Sequence, residues 1–213
     1  MVLDMDGVVV DSNPWHVRAW ELYNRRQGIE IPDLPDRMFG RRNDEIVRDL
    51  FGAHLSPAEI AAHGAAKEAL YREMLGSGLA EALVPGVREF LERHQGQLVG
   101  LATNAEPANV DFILDGAGLR PCFRVVMDGH QVAQPKPHPE IYLRIAQLLN
   151  VAPGNCIVFE DSYSGVAAAR AAGTRIVGIR TTYRALPGAD IEIDDFRAPA
   201  LEGWLRAQEP VES

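Results

Sequence analysis

The chain has 213 residues, 46% of them hydrophobic and 24% charged, with a formal net charge of −9. That length holds one good core plus a smaller accessory domain, and an acidic balance without any Lys/Arg-rich tract argues against nucleic acid or an anionic membrane as partner. Two distant cysteines, Cys122 and Cys156, lack CxxC spacing and point to a reducing compartment, the cytoplasm, with no disulfide framework.

The first element, MVLDMDGVVVDS, is an apolar strand carrying Asp4, Asp6 and Asp11. An ionised carboxylate held in a low-dielectric interior costs many kcal/mol unless a positive group sits beside it. Such a strand must expose its acids at one end or hold a cation between them. Acids interrupt the apolar run and no basic segment precedes it, so it does not read as a signal peptide. No stretch approaches the roughly 18 apolar residues that span a bilayer.

Residues 13–80 change character. PWHVRAWELYNRRQG, NDEIVRDLFG and SPAEIAAHGAAKEALYREMLG are amphipathic and helical, with no strand signal between them. Ser56-Pro57-Ala58-Glu59 supplies an N-cap, a proline at the first helical position and a reciprocal Glu. This block predicts an inserted all-helical cap at 13–80, between core segments 1–12 and 81–213.

From there short apolar runs alternate with helices. Strands are predicted at 97–103, 123–127, 155–160 and 174–179, and helices at 85–94, 106–117, 137–149 and 162–172, the last closing on Gly173. Near-continuous hydrophobicity implies strands buried on both faces, hence an α/β doubly wound parallel sheet with a Rossmann-like core. Cys156, inside CIVF, reads as a small buried hydrophobe. The tail from about residue 198 predicts a short helix.

In such sheets ligands bind beyond the carboxyl ends of the strands. Asp4, Thr103-Asn104 and Glu160-Asp161 end three strands, and Lys136 sits in the stiff loop QPKPHP just before a helix. Singly each is a turn former, a helix cap or a solvated charge. Together they place three carboxylates, a hydroxyl and a lysine on one rim. Only two of the 21 basic residues are lysines, Lys67 and Lys136, so a compact point charge survives at just two positions of an Arg-rich chain. Lys67 itself reads as part of an ordinary helix.

DMDGVVVDS, LATN, the Lys of QPKPHPE and FEDSYSG resemble the four motifs of the haloacid dehalogenase-like superfamily, in its β-phosphoglucomutase-like branch with a helical cap. The resemblance spans nearly the whole chain. One departure is that the strand begins almost at Met1, where relatives have a few more residues. The resemblance implies a Mg²⁺-dependent phosphatase acting on a small phosphorylated metabolite, a sugar phosphate by preference, through an aspartyl-phosphate. Asp4 would be the nucleophile and Asp6 the general acid and base. Mg²⁺ would lie among the Asp4 carboxylate, the Asp6 carbonyl and Asp161, with Glu160 nearby. Thr103, Asn104 and Lys136 would hold the phosphoryl oxygens, and Gly7 would let the backbone approach them.

A sugar-phosphate mutase is the alternative. Ser12, His16 and Trp20 resemble its hinge and cap-base residues, though Trp20 reads as core and His16 either way. A mutase must also grip a second phosphate through a cap Gly-x-x-Arg and a core Ser-Lys-Asn. Here those stretches read Gly40-Arg41-Arg42-Asn43 and Thr103-Asn104-Ala105-Glu106, with an acid in place of the Lys. Glu106 is expected to repel a distal phosphate. At most one of Arg41 and Arg42 faces the cleft, with Arg42 taken as the candidate contact. A non-catalytic binding protein on the same fold stands third. A receiver domain is much shorter and lacks the helical insertion, and no P-loop motif is present. The expected state is a monomer or weak dimer.

Overall fold

The structure, a computed structural model, describes residues 1–38 and 41–208. Strand β1 (Val2–Leu3) is followed by four helices, α1 (Asn13–Arg26), α2 (Leu34–Met38), α3 (Asn43–Phe51) and α4 (Pro57–Leu75). Then come α5 (Val87–Arg93), β2 (Gly100–Ala102), α6 (Pro107–Gly116), β3 (Val125–Met127), α7 (Glu140–Leu148), β4 (Ile157–Glu160), α8 (Tyr163–Ala171), β5 (Arg175–Ile179), β6 (Ile191–Ile193) and α9 (Pro199–Ala207). The strands form one parallel sheet in the order β3-β2-β1-β4-β5-β6, with Val2 opposite both Gly100 and Val158.

The two residues of β1 show why the runs are continuous rather than alternating. Val2 packs with Tyr142, Ile145 and Val166 on one face, and Leu3 with Phe90, Val110 and Ile113 on the other. Helices α7 and α8 cover the first face, and α5, α6 and α9 the second. Each fully buried aliphatic or aromatic side chain contributes roughly 1.5–3 kcal/mol. Strand β6 was not anticipated, because three residues set among acids in ADIEIDDF carry no strand signal of their own. It is added by pairing Ile191 and Ile193 with Val177 and Ile179 of β5.

The inserted helices have their own apolar cluster, including Trp20, Tyr23, Ile46, Val47 and Ile60. Ser56 and Glu59 form the expected capping box at the start of α4, and Gly173 ends α8 with φ of +77°. The predicted helix after residue 198 is α9; the remainder of that tail, from residue 209, and Gly40 of the cap loop lie outside the described residues. No described helix is long and apolar enough to cross a membrane.

This strand order reverses direction between β1 and β4, and that reversal opens a crevice at their carboxyl ends. Asp4 and Asp161 are the residues that follow those two strands. The helical cap lies over the same edge of the sheet.

Candidate active site

Backbone pairing carries Asp4 to the rim of the crevice. Its amide donates to the Phe159 carbonyl at 3.0 Å, one step beyond the β1 ladder, and the Thr103 amide likewise donates to Met127 at 3.0 Å. Asp4, Glu160 and Asp161 are buried, and one oxygen from each lies within 4.8 Å of the others. Lys136 reaches them from the loop before α7, across a cis peptide to Pro137. Its ammonium sits 2.9 Å from Asp4 Oδ1 and 2.6 Å from Glu160 Oε1, and donates to the Ala102 carbonyl at 3.0 Å.

Electrostatics follows from this burial. Desolvation lifts the Asp4 carboxyl from 3.8 to about 7, against the opposing pull of Lys136. Asp161 is pushed well above the usual carboxylate range by burial, then by Glu160 and Asp4. For Lys136, burial works against the ammonium, but Asp4 and Glu160 outweigh it and raise its pKa above the ordinary lysine value. One lysine thus faces three acids, which leaves the cluster short of positive charge.

Glu160 is saturated by donors. Oε1 accepts from Lys136 and the Tyr142 hydroxyl, and Oε2 from the Asp161 amide and the Ser162 hydroxyl. It anchors Lys136 from below. Ser162 also caps α8 by accepting from the Gly165 amide at 3.0 Å, so the capping role falls to Ser162 and leaves Asp161 aimed into the cleft. Asp161 accepts from Thr182, which Asn13 contacts in turn. Gly7 has φ of +74°, and a Cβ there would collide with the Asp161 carboxylate. Only glycine brings this loop so close.

Asp6 points the other way. Ser12 Oγ donates to its Oδ1 at 2.5 Å and His16 Nε2 lies 3.5 Å from the same atom. Ser12 precedes α1 as its N-cap, yet its hydroxyl serves Asp6 instead of the helix. Burial works to raise the Asp6 carboxyl, but His16 and Ser12 together overcome it and lower its pKa.

Behind His16 a polar chain runs through the cap. His16 stacks on Tyr71 at 3.8 Å and lies 2.7 Å from Lys67 Nζ, which pairs with Glu68 at 2.8 Å. Glu68 also accepts from Asn43 in the cap and from Asn109 on α6 of the core; burial opposes its ionisation, but Lys67, His16 and the Asn109 bond hold it down to about 2. Lys67 is therefore no ordinary helical lysine: it is fully buried. Its signal was present in composition, since both lysines of this chain are buried point charges with carboxylate partners. Arg72 and Asn109 also escaped the sequence reading, because nothing in a helical segment says which face meets another domain.

Two expectations need correction or refinement. Glu106 is not an unpaired acid, for Arg72 of the cap reaches it at 2.7 Å and also donates to Asn109 at 2.6 Å. Of the adjacent arginines, both border the cleft. Arg41 is tied to Asp49 and Glu45, whereas Arg42 donates to the Gly129 carbonyl of the core at 2.9 Å. Thr103 and Asn104 line the cleft with Lys136 as expected; Thr103 Oγ1 also accepts from the Ala105 amide, and Asn104 Oδ1 from the Lys136 amide. Trp20 is fully buried in the cap, with Lys67 Nζ 5.2 Å from its ring centre.

The family model for haloacid dehalogenase-like hydrolases matches residues 1–173. A protein named CbbY from Rhodobacter capsulatus is 33% identical over 94% of this chain and 92% of its own length. The fructose-1-phosphate phosphatase YqaB of Escherichia coli is 30% identical over 84% of this chain and 95% of its own. Among solved structures, a β-phosphoglucomutase from Clostridium difficile superposes with a TM-score of 0.86 at 25% identity, covering 97% of this chain and 95% of that one.

Proposed function

The chain belongs to the haloacid dehalogenase-like hydrolases, and from that premise we propose that it is a Mg²⁺-dependent phosphatase of a small phosphorylated carbohydrate. The observation that carries the proposal is the buried cluster of Asp4, Asp161 and Glu160 around a single lysine at the switch point of the sheet.

The donor set suits a hard divalent cation. Asp4 and Asp161 both carry carboxyls raised first by burial and then by neighbouring carboxylates, Glu160 foremost, the condition that a cation relieves. They would hold it together with the Asp6 carbonyl, with Glu160 beside them but engaged by its own donors. When bound, the ion supplies charge neutralisation for the phosphoryl group.

Asp4 then attacks phosphorus in line and forms an aspartyl-phosphate. Lys136, Thr103 and Asn104 hold the phosphoryl oxygens. Asp6 gives a proton to the departing alcohol oxygen and takes one from the water that hydrolyses the acyl phosphate. Its contacts to Ser12 and His16 favour the carboxylate and so suit the second half of that task; the first half requires Asp6 to turn from them toward the leaving oxygen. The cap bonds across to the core through Arg42, Glu68 and Arg72 and excludes bulk water from the crevice.

A mutase must hold a second phosphate. Among the described cations bordering the cleft beyond Lys136, Lys67 is paired with Glu68 and Arg41 with Asp49 and Glu45, which leaves Arg42 alone without a carboxylate. We therefore favour hydrolysis. A panel of phosphorylated metabolites assayed with Mg²⁺ and with EDTA tests the proposal, Asp4→Asn serving as control. Metal-dependent phosphate release lost in Asp4→Asn supports it. Unimpaired release in that variant overturns it, and phosphorus NMR showing β-glucose 1-phosphate converted to glucose 6-phosphate with little free phosphate favours the mutase.

A further inference from the structure

A second compartment adjoins the catalytic cleft, and its tyrosine and proline walls take no part in the chemistry above. It shares Arg41, Lys136, Ser162 and Ser164 with the cleft, so the two adjoin each other along the seam between cap and core. The cleft encloses about 130 Å³ and the neighbouring compartment about 370 Å³. On its core side Tyr163, the first residue of α8, is 52% exposed and stacks on Tyr183 at 4.0 Å with planes 25° apart. Tyr183 in turn packs on the apolar layer beneath the sheet, so the pair is braced from below. Pro135 and Pro137 form another wall, and Arg41 and Glu45 of the cap form the rim.

We propose that this compartment is a subsite for a second sugar ring, so that the substrate is a two-ring carbohydrate carrying one phosphate; this rests on the phosphatase reading above. An exposed tyrosine face braced by a second tyrosine offers a rigid apolar plane at little entropic cost, suited to the C–H face of a pyranose. The exposed Glu45 carboxylate accepts hydrogen bonds from sugar hydroxyls, and Arg41, bonded to Arg37, Asp49 and Glu45, forms a rigid rim. A nucleobase would also stack on the Tyr163 face, which is why a nucleotide is an arm of the test; the wall formed by Pro135 and Pro137 is saturated and suits the C–H face of a sugar ring. Under the cap, by contrast, Lys67, Glu68, Asn43 and Asn109 bond to one another, so a second ring finds little room there. Binding energy won on Tyr163 is remote from phosphorus and can be expressed in turnover.

The test compares kcat/KM for trehalose 6-phosphate and glucose 6-phosphate, which share the phosphorylated ring, with adenosine monophosphate as a third arm. The disaccharide phosphate is expected to be preferred by about tenfold. Tyr163→Ala is expected to erase that ratio, and Tyr163→Phe to keep it. A merely structural role for Tyr163 lowers both sugar phosphates equally and leaves the ratio intact, which overturns the subsite. Glucose 6-phosphate cleaved as well as trehalose 6-phosphate, release from neither sugar, or a preference for the nucleotide overturns it too. Absence of metal-dependent release across the whole metabolite panel ends the phosphatase reading instead.

Discussion

Replacing Lys136 by methionine keeps most of the side-chain volume and removes the one ammonium that Asp4 and Glu160 share. Its distances of 2.9 Å and 2.6 Å to those acids, and the near-complete burial of all three, set the magnitude. Breaking a buried ion pair from one side costs about 3–5 kcal/mol, because the remaining charge has no compensation. For a chain of this size each kcal/mol shifts the melting point by about 2–4 °C, so a fall of roughly 6–20 °C is expected. The pH dependence carries the more specific test. Asp4 is already raised to about 7 with Lys136 present, which corresponds to about 4 kcal/mol against ionisation. Without the lysine it rises further. A carboxyl whose folded pKa exceeds its unfolded value stabilises the fold when protonated, and that contribution is lost as pH rises from near 4 through the folded pKa. The deficit of Lys136→Met is therefore smaller at pH 5, where Asp4 is protonated and only Glu160 loses its partner, than at pH 8. Differential scanning fluorimetry in EDTA at the two pH values measures it. A deficit equal at both, or none at pH 8, refutes the claim that this lysine compensates buried acids.

Mg²⁺ should raise the melting point of the wild type, and more at pH 8 than at pH 5, because protons compete with it at Asp4 and Asp161; saturation at a hundredfold over Kd corresponds to about 2.7 kcal/mol. An equal shift at both pH values contradicts that site. Gly7→Ala should abolish Mg²⁺-dependent phosphate release, since the added carbon meets the Asp161 carboxylate at a positive φ; retention of more than a tenth of wild-type turnover counts against the close approach. Arg72→Ala should lower kcat/KM about tenfold while costing about 1–3 kcal/mol in urea denaturation, chiefly because the buried Asn109 side-chain carbonyl loses its donor, the pair with Glu106 being partly exposed. Activity unchanged in that variant shows that the contact does not hold the cap closed.

The core was readable because each strand of a buried parallel sheet announces itself by continuous hydrophobicity, and because Asp4, Thr103 and Asp161 stand where those runs stop. Lys136 was readable from the prolines around it. Strand β6 escaped because its identity comes from pairing with β5 and not from its own three residues. The cap side of the site was the least legible. Whether Lys67 and Arg72 face the core depends on the rotation of α4 against α1 and α6, which amphipathic patterning leaves open when a helix meets two partners. Asn13, at the very start of α1, and Thr182, in the loop after β5, are brought together at Asp161 from 169 residues apart, which no local pattern reveals. The rarity of lysine marked both buried cations, although the helical pattern around Lys67 made it read as an ordinary helical residue.

Asp4 is the group proposed to take the phosphoryl from the substrate. Rapid acid quench of the enzyme during turnover with Mg²⁺, followed by peptide mass spectrometry, reads this directly. The account predicts one phosphoryl group on the peptide containing Asp4, chased away by unlabelled turnover and absent in Asp4→Asn. Steady phosphate release with no phosphorylated peptide, or with the phosphoryl on another residue, contradicts it.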